Sequence, residues 1–486
     1  MDSMLIILPI ETVRLTGLLV NGYIVTVTMW EPRLDTEARP RYLAIADAIG
    51  EDVVDGRLAG GQRLPTHRDL ADTLGVTVGT VSRAYAEAAR RGLISGEVGR
   101  GTFVRPMAPP ASSRPDSDFV DLTHNHPVSP SDALDVQVMR TQLLGVAGDP
   151  GLVTWLGYPP DGGHPSHRAA GAAWLERSGV EAPPDRVVIT SGSQHGLASV
   201  LASLLGAGDL LLAEELTYPG LKGAAGLLGL RLHGVPIDRE GLDPDAFESQ
   251  CRGTGARAVY CVPTIQNPTS SVMSARRREQ IVEIARRHDV TIIEDDIHAL
   301  LPEQRPAPLA SLAPERTYYL GTTSKMLTPG LRIGYVLTPP GQVDVVTQAI
   351  RSTTWAASPL TAELASRSIC DGSADAVLDA RRREARSRQR MAADALAGLD
   401  YDAHPSGYHL WLKLPEPWRS DTFSDWLRRR GVAVTPGEAF VVGRGATPHA
   451  VRLALGGCAR RESLGRALGI VRDVLDRPGD TGFSLV

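Results

Sequence analysis

Cysteine is scarce in this 486-residue chain. The four present, Cys251, Cys261, Cys370 and Cys458, are scattered without a Cys-x-x-Cys spacing. That argues against a disulfide framework or a zinc site, and it fits a reducing cytosol. Cys251 and Cys261 lie in or near apolar runs and read as small core residues, so no metal site is expected. An uninterrupted apolar span of membrane length is missing as well. The segment from Met4 to Ile10 is apolar, but Glu11 and Arg14 break the run beyond it and no charged segment precedes it. Neither a secretory signal nor a membrane partner is expected. Strong charge of one sign is also absent, the net charge being -5. There are no internal repeats and no long low-complexity tract. What remains is a globular composition in a chain too long for one ordinary core, so two or three domains are expected.

Residues 39–106 carry the first of them. Leu43, Ile45, Ala46, Ile49 and Val53 have the spacing of one buried helix face between Pro40 and Val54. Residues 55–61 end that helix with turn chemistry. A second helix starts at the cap candidate Thr66 and stops at Gly75; a third comes after Val76-Thr77 and stops at Gly92. Two short extended runs around a Gly-rich tip then form a hairpin wing. Two helices joined at a glycine, with a wing after them, is the layout of a winged helix-turn-helix. Charge alone would not identify it: ten Arg against eight Asp or Glu leave +2 here, and 41 basic against 48 acidic residues leave -7 elsewhere. Position matters more. Arg68 opens the second helix, Thr77 and Thr80 open the recognition helix, and Gly99 and Arg100 sit at the wing tip. These are the expected DNA contacts, because helix N-termini and arginines grip phosphates while the start of the recognition helix reaches base edges.

Residues 107–118 are Pro/Ser-rich and polar, the composition of a linker. From Phe119 onward strand-like runs alternate with helical patterns, which implies parallel strands and crossover helices. Arg186–Thr190 leads into Ser191-Gly192-Ser193-Gln194, small residues at a helix start that would cradle a phosphate with backbone amides. Three further runs, at 210–213, 258–262 and 290–293, end in polar residues that include Tyr218, Asn267, Asp295 and His298. In a parallel sheet the site lies beyond those carboxyl ends. A fourth run, Thr317 to Leu320, leads to Lys325 among small hydroxyl residues. A lysine in a tight, apolar-walled site loses proton affinity and can form a Schiff base. Thr322, Ser324 and Arg332 would supply donors to a phosphate dianion. The basic run Arg381–Arg390 reads as a solvated helix face. His409, in the strand-like run 407–412, faces either the site or solvent.

The segment from Ser324 to Tyr335, with its Pro329-Gly330-Leu331-Arg332, resembles the cofactor-lysine segment of fold-type I, pyridoxal-phosphate-dependent aminotransferases. It is especially similar to the aminotransferase-like half of MocR-type regulators in the GntR superfamily. Residues 62–71 and 80–85 in turn resemble the GntR family. The resemblance covers about residues 39–475 and implies a multidomain fold. An α+β winged helix-turn-helix precedes an α/β fold-type I domain over 119–486, whose large part spans about 160–345 and whose small α+β part spans about 375–475. It implies pyridoxal phosphate bound at Lys325, with Tyr218 stacking on the ring, Asn267 at the ring oxygen and Asp295 at the pyridine nitrogen. Relatives usually carry tyrosine where Ile297 and His298 stand, so His298 is assigned the ring-oxygen position with altered electronics. Tyr158 resembles the tyrosine that reaches the partner subunit's cofactor phosphate, which implies a homodimer. Arg452 resembles the arginine that clamps a substrate carboxylate. Val78 stands where arginine is frequent in the family. The pattern begins near Met29-Trp30; residues 1–38 are therefore an N-terminal extension expected to be poorly ordered in part, with 1–28 added by a misassigned start.

The expected function is transcription regulation in the cytoplasm, on the nucleoid when the protein is bound to operator DNA. Pyridoxal phosphate or an amino compound would be sensed through the internal aldimine, without physiological turnover. The alternative is a working aminotransferase whose DNA-binding module is incidental.

Overall fold

The computed structural model describes residues 17–20, 23–26, 30, 32, 40–54, 57–58, 62–91, 93–97, 101–104, 119–129, 133–443 and 447–476. The chain divides into two compact units, residues 1–115 and 116–486.

In the first unit, helices Arg41–Val54, His67–Leu74 and Val78–Arg90 precede a hairpin of Ile94–Glu97 with Gly101–Val104, in register Ile94 to Val104. Each helix of the central pair is capped as its sequence dictates. Thr66 Oγ1 accepts from the Asp69 amide at 3.3 Å and Thr77 Oγ1 from the Thr80 amide at 3.2 Å. Gly75 takes φ 59° and turns the chain between them. One face of each helix closes on Ile45, Ile49, Leu70, Val81, Ala84 and Tyr85, and the Tyr85 hydroxyl donates to the Pro65 carbonyl at 2.9 Å. Trp30 also packs on this core and donates to Asp52 at 2.6 Å, so the unit reaches back ahead of residue 39. Short strands Gly17–Val20 and Tyr23–Thr26 pair antiparallel. Gly99, Arg100 and the linker lie outside the described residues.

The second unit is built on a seven-stranded sheet. In spatial order its strands are Val187–Thr190, Gly334–Leu337, Thr317–Thr322, Thr291–Asp295, Ala258–Cys261, Leu210–Glu214 and Arg231–Val235. All pair in parallel except Gly334–Leu337, which runs antiparallel to both neighbours. The central strands are buried along almost their whole length, as their continuous apolar runs require. A smaller antiparallel sheet contains Tyr401–Ala403, His409–Lys413, Ala450–Ala454 and Thr435–Pro436.

The helix Ser373–Ala395 corrects one expectation. Arg381 and Arg388 in the basic run are buried rather than solvated. Arg381 donates to the carbonyls of Val128, Met326 and Leu327 and to Asp135. Arg388 donates to Leu455, Cys458 and Glu384. Loop carbonyls buried under this helix need donors, and a guanidinium supplies five in a planar fork. Charge pattern alone does not show which arginines face such carbonyls. His409 is fully buried and points inward.

Candidate cofactor and effector site

The strands at the centre of the large sheet deliver polar residues from their carboxyl ends to one cavity of about 440 Å³. Ser193, Gln194, Tyr218, Asn267, Asp295, Thr322, Ser324, Lys325, Arg332 and Arg452 all line it. The first turn of the helix Ser193–Leu204 supplies Ser193 and Gln194. Gly192 before it has φ 88°, and a Cβ there would lie 2.5 Å from the Arg332 guanidinium. A Cβ on Gly334 would lie 2.7 Å from the Gly192 carbonyl carbon and the Ser193 nitrogen. Only glycine at both places lets Arg332 and the helix start meet. Backbone amides, a helix N-terminus and a guanidinium thus converge as an anion site.

Asp295 ends the strand Thr291–Asp295. Its Oδ2 accepts from the Tyr260 hydroxyl at 2.5 Å, while Oδ1 is buried without a partner. Burial pushes this carboxyl up to about 6, chiefly by desolvation. Lys325 is half-buried and donates to the Asn125 carbonyl. Desolvation first, then the positive charges of Arg452 and Arg332, lower its amine to about 8. Arg452 lies 5.0 Å over the Phe440 ring and donates to Asn267 Oδ1 at 2.8 Å and to the Thr123 carbonyl; its Nε is buried without a partner. Ser324 Oγ is buried and unpartnered too.

Two assigned residues, His298 and Thr322, sit differently. Ile297, not His298, borders the cavity. His298 is buried behind it, its Nδ1–H spent on the Ile265 carbonyl at 3.0 Å. Thr322 Oγ1 donates to the Ile333 carbonyl at 3.2 Å and accepts from the Ser324 amide, so it braces the loop from within. Tyr158 is 87% exposed beside Trp355 and does not line the cavity of its own chain. Sequence reasoning missed Tyr260, hidden inside an apolar run, and Asn125, in the polar stretch Thr123–Pro127 that opens the second unit. A phenol within a buried strand, and an amide flanked by two histidines, were the available signals.

The unpartnered Asp295 oxygen, the lowered lysine and the anion site fit pyridoxal phosphate, with a carboxylate for the pyridine nitrogen, an amine for the aldehyde and donors for the phosphate. Residues 118–469 match the family aminotransferase class I and II, and residues 41–104 match the gntR family of bacterial regulatory proteins. The chain is 30% identical over 448 residues to the uncharacterized HTH-type transcriptional regulator YdeF of Bacillus subtilis, covering 92% of this chain and 97% of that protein. The chain belongs to the MocR-type regulators of the GntR superfamily. Another relative is the probable rhizopine catabolism regulatory protein MocR of Rhizobium meliloti, 28% identical over 66% of this chain and 70% of that one. Among solved structures, the α-aminoadipate aminotransferase LysN of Thermus thermophilus, complexed with N-(5'-phosphopyridoxyl)-L-leucine, has a TM-score of 0.65 at 25% identity. It covers 74% of this chain and 92% of that one. This MocR-type regulator therefore joins a DNA-binding winged helix-turn-helix to a pyridoxal-phosphate-binding aminotransferase fold.

A lysine amine lowered in this way predicts a pH dependence for capture of pyridoxal phosphate at Lys325. Only the neutral amine attacks an aldehyde. With the amine near 8, about a tenth of it is neutral at pH 7, against about one part in three thousand for a lysine at 10.5. Capture of added pyridoxal phosphate by cofactor-free protein should therefore accelerate as pH rises toward about 8 and level off above it. Stopped-flow absorbance would check this; acceleration continuing through about pH 10 would contradict the lowered amine.

Proposed function

We propose that this regulator senses an amino compound at Lys325 and converts its binding into a change of DNA affinity, acting in the cytoplasm as a homodimer in which Tyr158 reaches the partner's site. The observation that carries the proposal is the convergence of a lowered Lys325 amine and an Arg452 guanidinium with an unpartnered Nε in one cavity. When bound, pyridoxal phosphate supplies an aldehyde that reacts reversibly with primary amines. Arg452 Nε and its fork hold a carboxylate beside that centre. Asp295 keeps a proton at the pyridine nitrogen, and Asn267, whose Oδ1 is occupied by Arg452, keeps its amide N–H groups for a ring oxygen. The Ser193–Leu204 helix start, Ser324 and Arg332 hold the phosphate. An effector that binds two conformations of the dimer unequally shifts their populations and so repositions the DNA-binding units.

The test is selection of bound duplexes from a random pool, then affinity measurement with and without pyridoxal phosphate and amino acids. A selected sequence whose affinity shifts in the wild type but not in Lys325→Ala supports sensing. Steady amino transfer to an oxo acid without selective DNA binding would instead establish the enzyme.

Arg68 is exposed in the first turn of its helix and should contact a backbone phosphate. Arg68→Ala is expected to weaken binding to all duplexes alike. It should also reduce the slope of log K against log salt by about 1. A loss confined to one base position would reassign Arg68 to base reading.

A further inference from the structure

The loop Thr123–Pro127 walls the cavity between the two anchors of an α-amino acid. Arg452, which awaits the carboxylate, donates to the Thr123 carbonyl. Lys325, where the amine exchanges, donates to the Asn125 carbonyl. Asn125 therefore stands in the cavity wall beside both anchors.

Which end of the Asn125 amide is available is fixed by its neighbours. His409 Nε2 lies 3.0 Å from the Gln266 carbonyl, which can only accept, so Nε2 carries the hydrogen. His409 is fully buried, and desolvation holds its ring down at about 3, so the imidazole is neutral and Nδ1 is an acceptor. The Asn125 atom 3.2 Å from Nδ1 must therefore donate, and is Nδ2. The remaining atom, Oδ1, is buried with no partner. The strand position of His409 is itself pinned, its carbonyl accepting from Gln389 at 3.1 Å. The amide cannot turn over without breaking this chain of bonds.

We propose that Asn125 selects the effector class: its locked side-chain carbonyl takes a hydrogen-bond donor at the end of the effector's side chain and disfavours a second carboxylate. This rests on the proposed sensing of an amino acid at Lys325. An unmatched acceptor in a desolvated wall discriminates sharply, because a carboxylate oxygen placed against it leaves both groups unpaired and repelling. Among the described residues of this chain, the arginines and lysine that line the cavity are already engaged. Arg332 faces the phosphate position, Arg452 the first carboxylate and Lys325 the amine. The effector is accordingly an amino acid with a carboxamide, hydroxyl or ammonium end.

The experiment titrates cofactor-loaded full-length protein by absorbance with glycine, then with the near-isosteric pairs asparagine and aspartate, and glutamine and glutamate. In at least one pair the amide should reach its midpoint at a concentration about tenfold or more below the acid. Asn125→Leu, checked for retained cofactor absorbance, should bring that ratio under about threefold; Asn125→Ser serves if the leucine variant loses cofactor. An acid that binds as well as its amide in both pairs of the wild type overturns the proposal without any variant. So does an amide preference that survives the loss of Asn125. No spectral change with any of the five, glycine included, overturns the sensing of amino acids itself.

Discussion

Lys325→Ala is expected to leave no covalently attached cofactor after borohydride reduction, where the wild type gains one phosphopyridoxyl mass on a single tryptic peptide. The chain makes this assay decisive because it holds only three lysines, Lys222, Lys325 and Lys413. Their environments differ in the property that matters. Lys413 is held charged, its amine raised by hydrogen bonds to Asp400 and Asp402 that outweigh its desolvation. Lys222 donates to the Ala439 carbonyl from the helix Pro219–Leu227. Lys325 alone of the three lines the cavity with Asp295 and the anion site, and burial lowers its amine to about 8. The expected effect is total loss of covalent capture with the protein still folded, because no core apolar contact is removed. Label on Lys222 or Lys413 in both proteins would show that capture is unspecific and would remove the basis for sensing at Lys325.

The second large effect is on stability. Arg278 is completely buried on the helix Ala275–Arg287. It donates to the Met273 and Pro263 carbonyls at 3.1 and 3.0 Å, to Thr264 at 3.1 Å, and approaches Glu294 at 3.6 Å. Glu294 is equally buried and accepts from the Leu309 and Ala310 amides. Desolvation, with Asp296 adding to it, pushes Glu294 up to about 8; desolvation also raises Asp296. These two carboxylates flank Asp295, so the cluster holds the strand end that carries it. Arg278→Met removes the cation and leaves the acids buried without it, a change that costs about 3–5 kcal/mol. Denaturant unfolding monitored by cofactor absorbance should approach that loss above about pH 8, where wild-type Glu294 is ionised. The sign of the pH response is fixed. A carboxyl whose folded value lies above its unfolded value of 4.5 takes up a proton more readily when folded, so its penalty grows as pH rises and fades as pH falls. Below about pH 8 Glu294 keeps its proton in both proteins, and removing the cation lets the variant keep it to higher pH, so the deficit should be level below about pH 8 and grow as pH rises above it. A deficit independent of pH would mean that lost packing, not uncompensated charge, destabilises it.

Much of the fold was legible in residue order. The cap Thr66, the turn at Gly75, the start of the third helix after Thr77 and the buried faces of the three helices are local consequences of residue type and spacing, and they fall where the pattern puts them. The central strands were legible for the same reason, since a run that is apolar at every position has no solvated face to offer. The polar residues at their ends could be read as one site because parallel strands bring their carboxyl ends together. Long-range partners were not legible. Whether Arg381 meets water or the carbonyl of Val128, 253 residues away, depends on how the helix Ser373–Ala395 lies across the unit. Nothing in a charge run encodes that. Tyr260 was hidden because hydrophobic patterning registers its ring and not the hydroxyl it offers to Asp295, 35 residues on. Spacing and side-chain type were enough to set the elements, their order and the residues able to do chemistry, because each of these is a local property. Packing was needed to show that Ile297 rather than His298 borders the cavity, and that Asn125 donates to His409 and leaves its Oδ1 unpartnered. A hydrogen-bond chain through Gln266, His409 and Asn125 joins three segments distant in sequence, and its direction exists only once they are packed together.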